Sequence, residues 1–306
     1  ELRLVFIFLS NFLIFICFLL ITNEITGLKF PFVLLLLSLL WLFLIVIFST
    51  DNLIVFFITF EVTIIPIFFL IGIWGSIRRV QAVNYLYFYT AVGAVTLLTS
   101  ILIINYLFKT ISIIQLTYLY NRINLNWGLK CAIWGGFFLS FNIKAPLVPF
   151  HIWLPKAHVE APTIGSVLLA GIILKIGLYG IIRICIFIFT DVSLWFSPFI
   201  ISFCTLGGLY ASLVTLRQID IKRIIAYSSV SHISLAVASI ISSTSIGVSA
   251  GVYLAISHGV ISSSLFILVG SLYARFHNRL IIYYGGLYSF IPKFTFFFFF
   301  FSISNI

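Results

Sequence analysis

Five side chains in this sequence stand where an ionisable group is costly: Glu61, Lys144, Lys175, His232 and His258, each inside a long apolar run. Charge at the centre of a bilayer costs roughly 2.5–3.5 kcal/mol on insertion scales, so an ionisable residue there argues for a function. Their types suit proton transfer, because carboxylate, amine and imidazole can each gain and lose a proton. Their depths agree. At 1.5 Å per residue, Glu61 lies roughly 13 Å into its segment, and Lys175, His232 and His258 lie close to the midpoints of theirs. Several helices would then present an ionisable group at one level, a row parallel to the membrane plane along which short hops are feasible. Lys144 is followed by Pro146 and Pro149, which predict a break in its helix and freed carbonyls needing water or polar partners. The predicted link from Lys175 towards His232 and His258 is ordered water and not direct contact.

Plainer readings stand beside these. Glu61 can be a protonated acid making one interhelical hydrogen bond, or can form a structural ion pair with Lys144. His232 and His258, taken singly, fit polar packing as well as relay. His151 and His158 flank WLPKA beside Glu160, but their i, i+7 spacing across a proline is not a ligand pattern, so no metal site is expected. Gly171, Gly177 and Gly180 read as points of close helix approach and not as a nucleotide loop. The four cysteines lie in apolar segments without CxxC spacing and read as small hydrophobes. No P-loop, dinucleotide fingerprint or nucleophile elbow is present.

The elements that must hold these residues are membrane helices. With 62% hydrophobic and 8% charged residues and a mean hydropathy of +1.26, the composition excludes a soluble globular domain. The fold class is all-α, polytopic, with about ten spans near 2–22, 32–49, 52–75, 83–107, 129–150, 163–187, 192–215, 223–242, 246–274 and 285–305. The net charge of +10 does not form a nucleic-acid face, since the cations are scattered between apolar runs. Alternating the spans puts Lys29, Arg78, Arg79, Lys156, Arg217, Lys222, Arg223, Arg275 and Arg279 in loops on one side. The smaller set of Arg3, Lys109, Arg122, Lys130 and Arg183 falls on the other, and this bias places both chain ends outside. The N-terminal run reads as a span and not a removed signal. The run Phe296 to Phe301 reads as lipid-facing bulk. A chain that begins at Glu1 and holds no methionine is expected to be processed, a fragment, or non-standard at its start.

The stretch KAPLVPFHIWLPKAHVEAPTIGSVLLAGIILKIGLYGIIRI closely resembles the chain 4 family of mitochondrial NADH:ubiquinone oxidoreductase, respiratory complex I. FFITFEVTIIPIFFLIGIWG resembles that family's glutamate-bearing helix. RQIDIKRIIAYSSVSHISLAV and LAISHGVISSSLFILVGSLYARFHNR resemble its two histidine-bearing helices. The match covers most of residues 50–300. The resemblance implies two inverted five-helix repeats, each with a broken helix, as half-channels on a central polar axis. It divides the chain into accessory helices 1–50, a first repeat 51–190 and an incomplete second repeat 191–306. It assigns proton transfer to Glu61, Lys144, Lys175, His232 and His258. It places NADH, FMN, iron–sulfur and ubiquinone chemistry in other subunits, with no cofactor in this chain. The implied surroundings are the mitochondrial inner membrane, its lipids and the neighbouring antiporter-like membrane-arm subunits. The implied function is redox-driven proton translocation; the alternatives are a cation/proton antiporter without redox drive and a structural spacer that has lost pumping. SISNI stops before the acidic exit residue that the resemblance places on the second broken helix. That leaves two expectations, a separate polypeptide supplying the remaining helices or a loss of pumping.

Overall fold

The computed structural model describes residues 2–24, 30–120, 122–123 and 125–305, so Lys29 of the cation tally lies outside the described residues. Eight helices among them are long and apolar enough to cross a membrane. In chain order the elements are α1 Leu2–Glu24, α2 Phe30–Ser49, α3 Leu53–Val62, α4 Ile64–Trp74, α5 Arg79–Phe108 and α6 Ile113–Tyr120. There follow α7 Trp127–Lys144, α8 Trp153–Glu160, α9 Thr163–Leu168, α10 Leu174–Gly180 and α11 Thr190–Thr215. The chain continues through α12 Ile221–Ile241, α13 Ser245–Phe276, α14 Leu287–Phe290 and α15 Pro292–Ser304. α3 and α4 are one span kinked at Thr63, three residues before Pro66, which has no N–H to return to the preceding turn. α9 and α10 are likewise one span, joined by a π-helical stretch Leu169–Ile173 and continued by a second, Ile181–Ile186.

Two of the expected spans take another form. The segment at 129–150 ends its helix at Lys144 and resumes only at Trp153, as the two prolines demand. The segment at 285–305 is the short pair α14 and α15, because Gly285, Gly286 and Pro292 interrupt it.

The span Thr163–Ile186 is the axis of the bundle: 94% of its most apolar 18-residue stretch is buried against protein, compared with 33% for Arg79–Phe108. Gly177 and Gly180 let it approach the end of α7. A Cβ on Gly177 would meet Ala145 N at 2.7 Å and Phe141 O at 2.8 Å, and one on Gly180 would meet the Phe141 ring at 2.5 Å. Gly171 serves the same purpose against α13, where its Cβ would meet Ser263 Oγ at 2.7 Å.

A repeated clasp runs through the chain. Asn52 bridges Ser112, and Asp220 bridges Leu280, as two isolated antiparallel bridges. Leu53 N donates to Ile111 O at 2.9 Å and Ile221 N donates to Arg279 O at 3.1 Å. Each clasp residue caps the helix it precedes: Asn52 Oδ1 accepts from Ile54 N at 2.9 Å and Asp220 Oδ1 from Lys222 N at 3.0 Å. Each clasped pair of helices also ends on a left-handed residue other than glycine, Lys109 at φ 53° and His277 at φ 51°. All three features recur after a shift of 168 positions (52 to 220, 109 to 277, 112 to 280).

Side-chain contacts sort the loop cations into two ends. At one end the Glu160 carboxylate accepts from Ser76 Oγ and from Arg78 N, and Arg279 Nη1 donates to Val159 O at 2.6 Å. At the other, Arg3 and Arg183 both pair with Asp51, and Lys130 pairs with Asp191 at 2.8 Å. Lys222 departs from its expected loop position. It is 2% exposed and donates to Ala161 O at 2.9 Å, because Asp220 caps α12 and draws the next turn inwards.

Candidate functional site

The sequence-selected residues form two clusters on either side of the central span. In the first, α7 delivers Lys144 to the kink between α3 and α4. Its Nζ donates to Phe60 O and stands 3.4 Å from the centroid of the Phe60 ring, a cation–π contact. Glu61 follows directly in sequence. Its Oε1 is buried with no hydrogen-bond partner in the protein, and the residue opens on a groove of about 610 Å³ that Phe68, Tyr87 and Thr90 also line. The ion pair of the plainer reading is not made: no Glu61 carboxylate oxygen lies within 4 Å of Lys144 Nζ among the described residues. The lysine turns to the Phe60 carbonyl, which lies at the kink and also accepts from Thr63 Oγ1 at 2.8 Å.

The broken end of α7 is closed with polar partners. Ala145 N donates to Phe141 O at 2.7 Å, Leu147 N to Asn142 O at 3.2 Å, and Trp153 Nε1 to Ile143 O at 2.9 Å. Trp153 is thus the residue that lets the break stay inside the bundle, since an unpaired buried carbonyl costs about 1–3 kcal/mol.

The second cluster is continuous. Lys175, fully buried, donates to Ala170 O at 2.5 Å, and its Nζ lies 3.0 Å from His258 Nδ1. This corrects the expected water link: Lys175 and His258 touch directly, because Gly259 lets α13 close to 3.3 Å of the lysine Cε as measured from an ideal Cβ. His258 Nε2 lies 3.1 Å from Ser229 Oγ, which itself donates to Ile225 O at 3.0 Å. That network assigns the ring proton to Nε2 and leaves Nδ1 to accept from Lys175. The His232 ring stands 5.5 Å from that of His258, and its Nε2 donates to Asn305 O at 2.7 Å. An imidazole held this way can take a proton at one nitrogen and release one at the other.

Beside Lys144, against the central span, a cavity of about 10 Å³ is lined by Ile64, Leu86, Thr90, Trp153, Leu169 and Ile173, at the lower limit for one water. Among the described residues no group of three His, Cys, Asp or Glu is placed to hold a metal. Ser229, Asn305 and Trp153 were not legible as site residues, since serine and asparagine are common in spans and a tryptophan indole carries no pattern. Lys222 and His158 carried a signal: Lys222 stands two residues after a capping Asp220, and His158 lies in the KAHVEAP stretch.

A kinked, glycine-packed helix bundle with ionisable side chains held at its centre falls in the class of antiporter-like membrane proteins. The chain belongs to the NADH:quinone oxidoreductase/Mrp antiporter transmembrane family, whose model matches residues 50–306. It is 42% identical to NADH-ubiquinone oxidoreductase chain 4 of Acanthamoeba castellanii over 307 aligned residues, covering 100% of this chain and 61% of that protein. Among solved structures it resembles a chain of respiratory complex I from Thermus thermophilus, with 26% identity, a TM-score of 0.82 and coverage of 96% and 60% of the two chains. It also resembles a chain of the archaeal membrane-bound sulfane sulfur reductase, with 25% identity, a TM-score of 0.87 and coverage of 97% and 61%. The chain thus spans about three fifths of the length of these relatives.

Proposed function

We propose that this chain translocates protons as an antiporter-like membrane-arm subunit of respiratory complex I. NADH, FMN, iron–sulfur and ubiquinone chemistry would belong to other subunits, with no redox site here. Its place is the mitochondrial inner membrane, in contact with neighbouring antiporter-like subunits and lipid. The observation that carries this reading is the direct Lys175–His258 contact at 3.0 Å, continued by His232. An amine and an imidazole at that distance can exchange a proton in one hop, and no structural salt bridge is gained by placing them together. Glu61 and Lys144 form the entry cluster; the apolar gap beside Lys144 acts as the gate that must hydrate before a proton crosses. The 168-position shift supports two repeats. It pairs α2 with α11, so the first repeat starts at α2, ahead of position 51, and the second at α11.

Lys175→Arg in the whole complex, reconstituted in vesicles, tests the reading. Arginine keeps the charge and holds its proton above about pH 12, so it should block transfer and cut proton uptake roughly tenfold or more. Uptake at the wild-type rate would reduce Lys175 to a fixed counter-charge.

A further inference from the structure

His258 meets a different partner at each ring nitrogen, and only one of its two neutral forms suits both. Nδ1 lies 3.0 Å from Lys175 Nζ, and Nε2 lies 3.1 Å from Ser229 Oγ on α12. His258 is 3% exposed and Ser229 0%, so water does not stand in for either contact. A neutral imidazole has one N–H and one lone pair, while an ammonium can only donate. A ring that is to take a proton from Lys175 must therefore carry its own hydrogen on Nε2. Something beside Nε2 has to accept it.

Ser229 is arranged to do this. Its hydroxyl donates to Ile225 O at 3.0 Å, one turn back along α12, which leaves its lone pairs for the Nε2 hydrogen. Serines in helices commonly spend their hydrogen on such a carbonyl. Ser231, Ser234 and Ser239 on the same helix each do so, at 2.7, 2.7 and 2.8 Å, and none of these three bonds a histidine. Ser229 differs by facing the ring. The second histidine is held in the same sense and from the same turn. His232 Nε2 donates to Asn305 O at 2.7 Å, Asn305 Nδ2 donates to Ser228 Oγ at 3.2 Å, and Ser228 donates to Ile225 O at 2.9 Å. Both contacts thus lead back to one carbonyl, and both leave Nδ1 to accept.

We infer that Ser229 is a positioning residue for proton transfer: by accepting from His258 Nε2–H it holds the imidazole in the tautomer whose Nδ1 can take a proton from Lys175. The inference rests on the proton-translocating reading above and assigns it a residue that neither gains nor loses a proton itself. In the step it serves, one N–H bond breaks on the Lys175 ammonium and one forms on Nδ1, giving a neutral amine and an imidazolium. The Nε2–H bond to Ser229 persists throughout. No electrons move, and the reverse step restores the starting pair. Without the serine oxygen the hydrogen on Nε2 has no partner, and the tautomer with Nδ1–H, which turns a donor towards Lys175, gains at its expense.

The test compares variants of the assembled complex in vesicles by two readouts, proton uptake and the infrared ring bands of isotope-labelled histidine, which differ between the Nε2–H and Nδ1–H tautomers. His258→Gln identifies which band belongs to His258. Ser229→Ala should move that band from the Nε2–H towards the Nδ1–H position and lower uptake about three- to tenfold, the factor that one hydrogen bond supports. Ser229→Thr keeps the hydroxyl and should restore both readouts. Ser234→Ala removes a buried hydroxyl of the same helix that bonds no histidine, and should change neither. An unmoved band in Ser229→Ala, or a moved band with wild-type uptake, would overturn the inference and leave Ser229 as packing. Wild-type uptake in Lys175→Arg would instead remove the proton reading, an outcome that the tautomer band reports on separately.

Discussion

At the scale of single residues, the interior is organised by lysines that find carbonyls and an imidazole as their partners. Lys144 takes the Phe60 carbonyl and ring, Lys175 takes Ala170 O and His258, and Lys222 takes Ala161 O. Lys144→Ala should lower proton uptake by roughly tenfold, measured with a pH-sensitive dye in vesicles, while Lys144→Arg should restore the cation–π contact without the uptake. Wild-type uptake in the alanine variant would remove Lys144 from the path. The expense of burying Glu61, Lys144, Lys175, His232 and His258 made them legible in the sequence, because an ionisable residue in an apolar run is costly unless it serves a purpose. Lys222 escaped notice for the converse reason: beside Arg223 at a segment boundary it reads as an ordinary loop cation, and only the cap at Asp220 turns it inwards.

At the scale of elements, what matters is where helices stop being regular. The break at Pro146 and Pro149 was legible because proline removes a donor whatever surrounds it, whereas 52–75 was read as one span with no kink before Pro66. The π stretches at Leu169–Ile173 and Ile181–Ile186 were not, since nothing in LAGII or IIRICI departs from an ordinary apolar helix and the wider turn is set by packing. Lys175 lies on the regular turns between them, held against α7 by Gly177. Gly177→Ala should destabilise the chain by about 1–3 kcal/mol, since its Cβ would meet backbone atoms of Phe141 and Ala145 that have no room to yield. Gly135→Ala, with nothing within 4 Å, is the control and should be neutral or slightly stabilising. Thermal unfolding in detergent compares them. Trp153→Phe should cost a similar 1–3 kcal/mol, roughly, by orphaning the Ile143 carbonyl.

At the scale of the whole molecule, α1 is fastened to the rest of the bundle through Asp51, which pairs with Arg3 on α1 and with Arg183 at the end of the central span. The hydrogen bond from Arg3, then the Arg3 charge and the Arg183 contacts, hold the Asp51 carboxyl below its usual range in spite of burial. A depressed pKa means that the folded form binds its proton less readily than the unfolded one. The stabilisation is therefore complete above about pH 4 and is lost as the pH falls through the folded-state value. Asp51→Asn should flatten the acid limb of a thermal-stability profile taken from pH 7 to pH 3; an unchanged limb would show that the pairs contribute nothing. The pairing of distant segments at Asp51 was not legible, since one aspartate between two spans reads as a cap or a turn. The two backbone clasps, Asn52 with Ser112 and Asp220 with Leu280, have a mechanical consequence. Each locks the start of one span to the chain just beyond the next, so a two-helix hairpin is fixed at its open end as well as at its turn. Hairpins closed at both ends tilt as stiff panels and resist twisting internally. Any opening of the bundle must then be taken up between the panels, where the π-flanked span carries Lys175, and that lysine moves as the panels part.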